Sequence, residues 1–381
     1  MEQFDFPLER RVAMSETQSM IPVYKPSLSG NEKAYVNDCL DTTWISSVGS
    51  YVDRFESELA RFLGVKHAIA VSNGTVALHL AVHCLGIGPG DEVLVPTFTY
   101  IASVNAIAQT GAVPVFVDCR LSDWLLDPAM LEAAITPKTK AIMAVHLYGG
   151  ICDMAAINQV ASRHGLHVIE DCAEALGSTS SGRHCGGLSS VGTFSFFGNK
   201  TVTTGEGGAV TTNDDALAER MRLVKGQGQS LDRRYWHVEL GFNYRMTNIC
   251  AAIGVAQLER VDELLGKKKA LGRAYRERLS DLPLTFQDLD PNTSSSDWLI
   301  SVLLPNGTDR DAFMSGLASR GVDSRPVFHC AHEMPMYASL SSPQAFPIST
   351  EISTRGVSFP SYPTITADEF EQVIDAVKLC L

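Results

Sequence analysis

The chain has 381 residues, of which 45% are hydrophobic and 19% are charged. This composition excludes an intrinsically disordered protein, and the length exceeds the ~250–300 residues at which single cores stop growing, so we expect two domains. The formal net charge of -12 argues against a nucleic-acid-binding protein, and no apolar run approaches the ~18–20 residues of a membrane span.

The nine cysteines are scattered without a Cys-x-x-Cys pair, which predicts reduced thiols in a cytoplasmic protein. Residues 1–19 carry no apolar signal-peptide core. We expect them to be a disordered tail, a tag remnant, or the product of a start codon placed too early. The stretch 329–332 (His-Cys-Ala-His) has no second cysteine/histidine pair at a zinc-like spacing, so no metal site is predicted.

From about residue 31 the sequence alternates between helical and strand periods. Helices are predicted over 31–40, 51–63, 75–85 and 100–109, and strands over 67–71, 92–96, 113–118, 140–145 and 166–171. Short, almost continuous apolar strands separated by helices indicate a mostly parallel sheet covered on both faces, the α/β class. Ligands of such sheets bind beyond the carboxyl ends of the strands.

The pattern changes after about residue 260. A charged helix from residue 266, a strand over 298–304, a helix over 309–319, an extended segment over 322–328 and a final helix over 367–379 follow. This order predicts a smaller α+β domain of ordinary size. We therefore expect a large domain over 20–260 and a small C-terminal domain over 261–381.

Three strand ends carry residues suited to chemistry. Gly74 and Thr75 open a helix after the first strand, which favours either a phosphate cradle or an ordinary capped helix start. Tyr100 follows the second strand, where it can stack on a heteroaromatic ring or close the core. Asp171 ends another strand, where it can keep a pyridinium nitrogen protonated or cap the next helix. Glu174 then faces the ring hydroxyl of such a cofactor or the substrate.

Lys200 lies between an aromatic strand-like run and a glycine-rich turn, followed by a short hairpin-like strand over 209–212. It is either a surface charge or a shielded amine that bonds covalently to pyridoxal phosphate. Ser195 supplies a hydroxyl for the phosphate, and the glycines over 205–208 allow close backbone approach. The carboxylate and the phosphate cradle upstream favour the covalent role.

These features together resemble the DegT/DnrJ/StrS sugar-nucleotide aminotransferases, a branch of the fold-type-I pyridoxal-phosphate enzymes. The resemblance is carried by residues 170–174, 195–200, 205–208 and 241–245. It implies that Lys200 bonds to the cofactor and that Asp171 pairs with its ring nitrogen. Ser195, Gly74 and Thr75 are then expected to hold its phosphate. It also implies an obligate homodimer in which Asn243 reaches the neighbouring subunit's cofactor.

The resemblance further implies that glutamate donates its amino group to C4 of a nucleotide-linked 4-keto-6-deoxy sugar. The substrate-side loops are most similar to those of members that use GDP-4-keto-6-deoxy-mannose; a UDP- or dTDP-linked 3- or 4-keto sugar is the alternative. The expected substrate contacts, with Lys225 as a further candidate for the diphosphate, are Trp44, Glu174, Arg245, Arg325 and His332. A cofactor-binding transcription regulator is disfavoured because the tail is too short for a DNA-binding domain.

Overall fold

The computed structural model describes residues 20–230, 232–342 and 344–381. Its α-helices are α1 (Glu32–Asp41), α2 (Ser50–Leu63), α3 (Gly74–Cys84), α4 (Ile101–Gln109), α5 (Leu131–Ala134), α6 (Met154–His164), α7 (Asp215–Lys225), α8 (Asn248–Leu258), α9 (Val261–Arg278), α10 (Arg310–Ala318), α11 (Pro347–Arg355) and α12 (Ala367–Cys380). Short 3-10 helices occupy Pro128–Met130, Leu147–Gly149, Ala331–Glu333 and Ala338–Leu340. The tail predicted over 1–19 lies outside the described residues.

The strands are β1 (His67–Val71), β2 (Glu92–Pro96), β3 (Val113–Val117), β4 (Thr139–Val145), β5 (His167–Asp171), β6 (Thr179–Ser180), β7 (Arg183–His184), β8 (Val191–Ser195), β9 (Gly208–Thr212), β10 (Thr285–Phe286), β11 (Thr293–Ser294), β12 (Ile300–Leu303), β13 (Arg325–Pro326) and β14 (Gly356–Phe359). They form three sheets, of seven, four and three strands. The seven-stranded sheet positions the site described below.

The large sheet has the strand order β1-β9-β8-β5-β4-β2-β3. β3, β2, β4, β5 and β8 are parallel neighbours, whereas β9 pairs antiparallel with both β8 and β1. Consecutive residues are buried along β1, β2, β4 and β9, so both faces of the sheet are covered. The predicted mostly parallel α/β sheet is confirmed.

A second hydrophobic core lies in the C-terminal region. The antiparallel sheet β10-β12-β14-β13 and helices α9, α10 and α12 contribute to it. Ile21 also packs into this core, and its N–H donates to Gly321 O at 2.8 Å. The segment at the start of the described residues therefore packs with the C-terminal core through Ile21. The domain boundary at 260/261 stays a prediction.

The smallest sheet, β11-β6-β7, links the segment after β5 to residues 293–294. Within the described residues, no helix is both long and apolar enough to cross a membrane.

Candidate active site

The carboxyl ends of the parallel strands open into one cavity of about 920 Å³. This is the edge at which ligands of open α/β sheets bind. Eight of the predicted site residues line it: Gly74, Thr75, Tyr100, Asp171, Glu174, Ser195, Lys200 and Arg325. Chain positions more than 250 residues apart thus meet in one space.

The amine of Lys200 is shielded in this cavity, with its side chain 13% exposed. Nζ lies 4.0 Å from Glu174 Oε1 and 3.8 Å from the centre of the Trp298 ring. Burial lowers the pKa of Lys200, against the opposing effects of Glu174 and Asp171. The lysine backbone is also fixed, because Tyr24 Oη donates to Lys200 O at 2.8 Å. A lysine with a lowered pKa has a larger neutral, nucleophilic fraction.

Glu174 is buried beside that amine. Its Oε2 accepts the Tyr148 N–H at 2.9 Å. Burial raises the pKa of Glu174 to about 7, although the Lys200 amine and the Tyr148 N–H both favour the ionised form. Glu174 can therefore hold or release a proton near neutral pH.

Asp171 ends β5 on the floor of the cavity, where it is 5% exposed. Ser103 Oγ donates to its Oδ2 at 2.7 Å, and the Ala173 N–H donates to its Oδ1 at 3.1 Å. Two donors fix the carboxylate while leaving lone pairs for a third. Such a group suits a cationic partner inside the cavity.

Helix α3 begins at the cavity wall. Asn73 caps it by accepting the Val76 N–H at 3.0 Å, and the preceding N–H groups of the first turn are those a helix leaves unpaired. A Cβ on Gly74 would lie 2.7 Å from Ser195 Cβ. Only glycine lets the helix start approach the Ser195 hydroxyl so closely, and together they form a cradle for an anion.

Tyr100 and Arg325 stand on the open side of the cavity. The Tyr100 side chain is 57% exposed, and its ring lies 5.5 Å from that of Phe328. Arg325 lies in the edge strand β13 and is exposed as well. An exposed ring and an exposed guanidinium at one mouth are suited to a ligand that enters from solvent.

The other predicted contacts do not line the cavity. Trp44 is 55% exposed, and Asn243 is exposed and forms an isolated β-bridge with Gly226. Arg245 Nε donates to Ser47 Oγ at 3.0 Å. Their roles stay predictions.

Two further predicted substrate contacts, His332 and Lys225, are bonded to other side chains of the protein. His332 is 2% exposed, and its Nδ1 lies 2.7 Å from Thr97 Oγ1. Lys225 Nζ forms an ion pair with Glu56 Oε1 at 2.9 Å, and burial lowers its pKa. Both contacts are with protein groups outside the cavity lining.

The sequence interpretation missed an aromatic wall. Trp298, Tyr148 and Phe328 line the cavity as a stack. The ring centres of Tyr148 and Trp298 are 6.2 Å apart at 16°, and those of Tyr148 and Phe328 are 5.5 Å apart at 21°. Tyr148 has φ 55°, in the left-handed region that non-glycine residues rarely adopt. The sequence signal for Tyr148 is its position shortly after the end of β4, between the strand ends of β2 and β5 that carry other predicted site residues.

His146, which lines the cavity, comes close enough to Glu170 and Cys172 to suggest a metal site. The Glu170 carboxylate, however, accepts the N–H groups of Gly186 at 2.9 Å and Leu188 at 2.8 Å, and lies 3.2 Å from His146 Nε2. Its oxygens are engaged in holding the loop after β7. This cluster therefore reads as a structural hydrogen-bond network.

The cavity's groups suit pyridoxal phosphate. The Gly74–Ser195 cradle, which a Cβ would fill, suits the phosphate, and the fixed Asp171 carboxylate suits a protonated ring nitrogen. The shielded amine of Lys200 suits an aldehyde.

A mostly parallel sheet with a buried carboxylate at a strand end and a shielded lysine in the same cavity is typical of a pyridoxal-phosphate enzyme. The model of the DegT/DnrJ/EryC1/StrS aminotransferase family matches residues 26–378. The chain belongs to this family, and its cofactor is pyridoxal phosphate.

Relatives of known name cover nearly the whole chain. This chain is 49% identical over 361 residues to GDP-perosamine synthase of Vibrio cholerae, and the match covers 94% of this chain and 98% of that protein. It is 51% identical over 365 residues to GDP-perosamine synthase of Caulobacter vibrioides, covering 95% and 98%.

Solved structures agree with the fold. The putative sugar aminotransferase Spr1654 from Streptococcus pneumoniae, in its PMP form, superposes with a TM-score of 0.91 at 27% identity, covering 95% of this chain and 97% of that one. A DegT DnrJ EryC1 StrS aminotransferase from Brucella abortus gives a TM-score of 0.86 at 31% identity, covering 91% and 94%.

Proposed function

We propose that the protein transfers the amino group of glutamate to C4 of GDP-4-keto-6-deoxy-mannose and so forms GDP-perosamine. The observation that carries the reaction type is the Lys200 amine, 4.0 Å from Glu174 in a cavity that also contains Asp171. The substrate rests on the two relatives named GDP-perosamine synthase, at 49% and 51% identity.

Pyridoxal phosphate, when bound, supplies an aldehyde that bonds to amines and a protonated ring that withdraws electrons from the bonded carbon. Once the amino donor has displaced it from the cofactor, Lys200 Nζ would take the proton from the α-carbon of glutamate as a base and would give it to the cofactor's C4′ as an acid. Burial lowers the pKa of Lys200, which enlarges the fraction of neutral amine that can take the proton. The Asp171 carboxylate, which accepts a hydrogen bond from Ser103, would stabilise the protonated ring nitrogen of the cofactor.

The remaining groups bind and orient. The α3 start at Gly74 and the Ser195 hydroxyl would hold the cofactor phosphate, and Tyr100, which lines the cavity, would stack on its ring. Arg325, exposed at the same mouth, pairs with the substrate diphosphate. Trp44, Arg245 and His332 stay proposed contacts of the sugar and nucleotide on the family resemblance alone, because none of them lines the cavity of the single chain.

The working unit proposed here is a cytoplasmic homodimer with shared sites. Support comes from large apolar side chains exposed in two segments, one that contacts Arg245 and Asn248 and one that precedes Asn243 in the chain: Trp44, Ile45 and Val48, and Tyr235, Trp236, Val238 and Leu240. A second subunit that covers them would bring Asn243 to the neighbouring cofactor phosphate. Light scattering of the purified protein tests the dimer. A mixture of inactive Lys200→Ala and inactive Asn243→Ala subunits that regains activity would support shared sites.

The reaction is tested by incubating the protein with pyridoxal phosphate, glutamate and GDP-4-keto-6-deoxy-mannose and following the sugar nucleotide by mass spectrometry. The expected product is a GDP-amino sugar that forms only with glutamate. Lys200→Ala is expected to abolish turnover while the protein stays folded by circular dichroism. Steady turnover by that variant would refute the role of Lys200. If an amino sugar forms from a UDP- or dTDP-linked keto sugar but not from the GDP-linked one, the aminotransferase reaction stands and the proposed substrate is wrong.

A further inference from the structure

The Lys200 amine rests on an aromatic face. Nζ lies 3.8 Å from the centre of the Trp298 indole, while Glu174 Oε1 lies 4.0 Å away. An ammonium over an indole is attracted by the negative face of the ring, and the attraction grows when water is excluded. Trp298 is 4% exposed, so this contact is made in a largely desolvated place.

Trp298 is held rigidly in that orientation. Its indole N–H donates at 2.8 Å to the carbonyl of Asn199, the residue before Lys200. The opposite support is Tyr148, whose ring is nearly parallel to the indole and whose N–H binds Glu174. The two groups that flank the amine are thus both fixed through Tyr148.

The loop that carries Trp298 is also fixed. Asp297 has φ 48° and accepts a hydrogen bond from Arg276 Nη2 at 3.1 Å. Ser178 Oγ donates to Gly149 O at 2.7 Å and accepts the Ser296 N–H at 2.9 Å. A Cβ on Gly149 would lie 2.6 Å from Asp297 N, so glycine there lets the two turns meet. A left-handed non-glycine residue is retained only where its surroundings enforce it.

We infer that Trp298 is a positioning residue that holds the Lys200 amine whenever the lysine is not bonded to the cofactor. Glu174 completes this resting place from the other side. The inference rests on the proposed function, because an aminotransferase must release its lysine from the cofactor and bring it back within reach in every cycle. The indole adds to the pairing with Glu174 an attraction for the charged amine that needs no covalent bond.

The test measures the pKa of Lys200 in the cofactor-free, full-length protein. Competitive labelling with acetic anhydride across the neutral and alkaline range, read by peptide mass spectrometry, gives that value. Exposed Lys140 is the reference within the same chain. Loss of the aromatic face in Trp298→Leu is expected to lower the pKa of Lys200 by about one pH unit, and Trp298→Phe by about half as much. The pKa of Lys140 should not move.

An unchanged or raised pKa in Trp298→Leu would overturn the inference, as would an equal change at Lys140. A fall in Trp298→Phe as large as that in Trp298→Leu would also overturn it, since phenylalanine keeps a ring. The proposed function is checked separately in the wild-type protein. There, glutamate should change the absorption spectrum of the loaded cofactor whatever the two variants show.

Discussion

Lys268 gives a sharp test of the energetics of this fold. It lies on α9 with its side chain fully buried, and its Nζ donates to Ser361 O. Burial lowers the pKa of Lys268 from 10.5 to about 7, although Asp297 opposes the shift. The perturbation is Lys268→Met, which nearly conserves the side-chain volume and removes the charge.

The sign and size of the effect follow from linkage. Below about pH 7 the lysine is charged in both states, and folding bears the full cost of burying that charge. The cost declines as pH rises and is lost above the unfolded value of 10.5. At ~1.36 kcal/mol per unit it amounts to about 4 kcal/mol at about pH 7 and about 1 kcal/mol at about pH 10.

The variant also loses the hydrogen bond to Ser361 O, which costs about 2 kcal/mol when a buried carbonyl is left unpaired. Lys268→Met is therefore expected to be about 2 kcal/mol more stable than the wild type near pH 7 and about 1 kcal/mol less stable near pH 10. The curves should cross at about pH 9.

Urea unfolding at fixed protein concentration, repeated across that pH range, measures the difference between the two proteins. Lys267→Met is the matched control, because Lys267 is the preceding residue and pairs with Glu263 with 47% of its side chain exposed. It should change stability by less than about 0.5 kcal/mol at every pH. A stability difference for Lys268→Met that does not change with pH would refute the reasoning.

Other variants test the site. Glu174→Gln removes a charge 4.0 Å from Lys200 Nζ and should therefore lower the pKa of that amine by up to about three units. Labelling of the cofactor-free protein measures this pKa, and an unchanged pKa would contradict the prediction. Ser103→Ala removes a donor to buried Asp171 and should weaken cofactor binding about tenfold in a spectroscopic titration; equal affinity would dismiss the contact. Arg325→Met should raise KM for the nucleotide sugar about tenfold and leave the glutamate half-reaction unchanged; a slowed half-reaction would count against a diphosphate contact.

Much of the fold follows from the chain's local patterns. β1 and β2 have the bounds that their apolar runs predict, and α12 begins at the predicted residue 367. The predicted extended segment over 322–328 contains only the two-residue strand β13. Pro326 has no N–H for a sheet ladder, which is typical of a short edge strand.

The site divides in the same way. Asp171 carries a local signal because it ends β5, and Lys200 carries one because it lies between the aromatic run that follows β8 and a glycine-rich turn. Trp298 carries none, since its place over the lysine depends on a loop about 100 residues later in the chain. Likewise, the contact between buried His332 and Thr97 arises from tertiary packing that no local pattern encodes.

The order of strands in the large sheet bears on how the protein is made. Among the described strands of that sheet, β1 pairs with β9 alone. Residues 67–71 therefore cannot form their strand pairing until residues 208–212 have been synthesised. At ~5–20 residues per second, the ribosome needs roughly 7–30 s to supply the partner. Throughout that interval His67-Ala-Ile-Ala-Val71, which is largely buried in the folded protein, lacks the strand that pairs with its backbone. We expect a chaperone to bind this strand during synthesis, before β9 pairs with it.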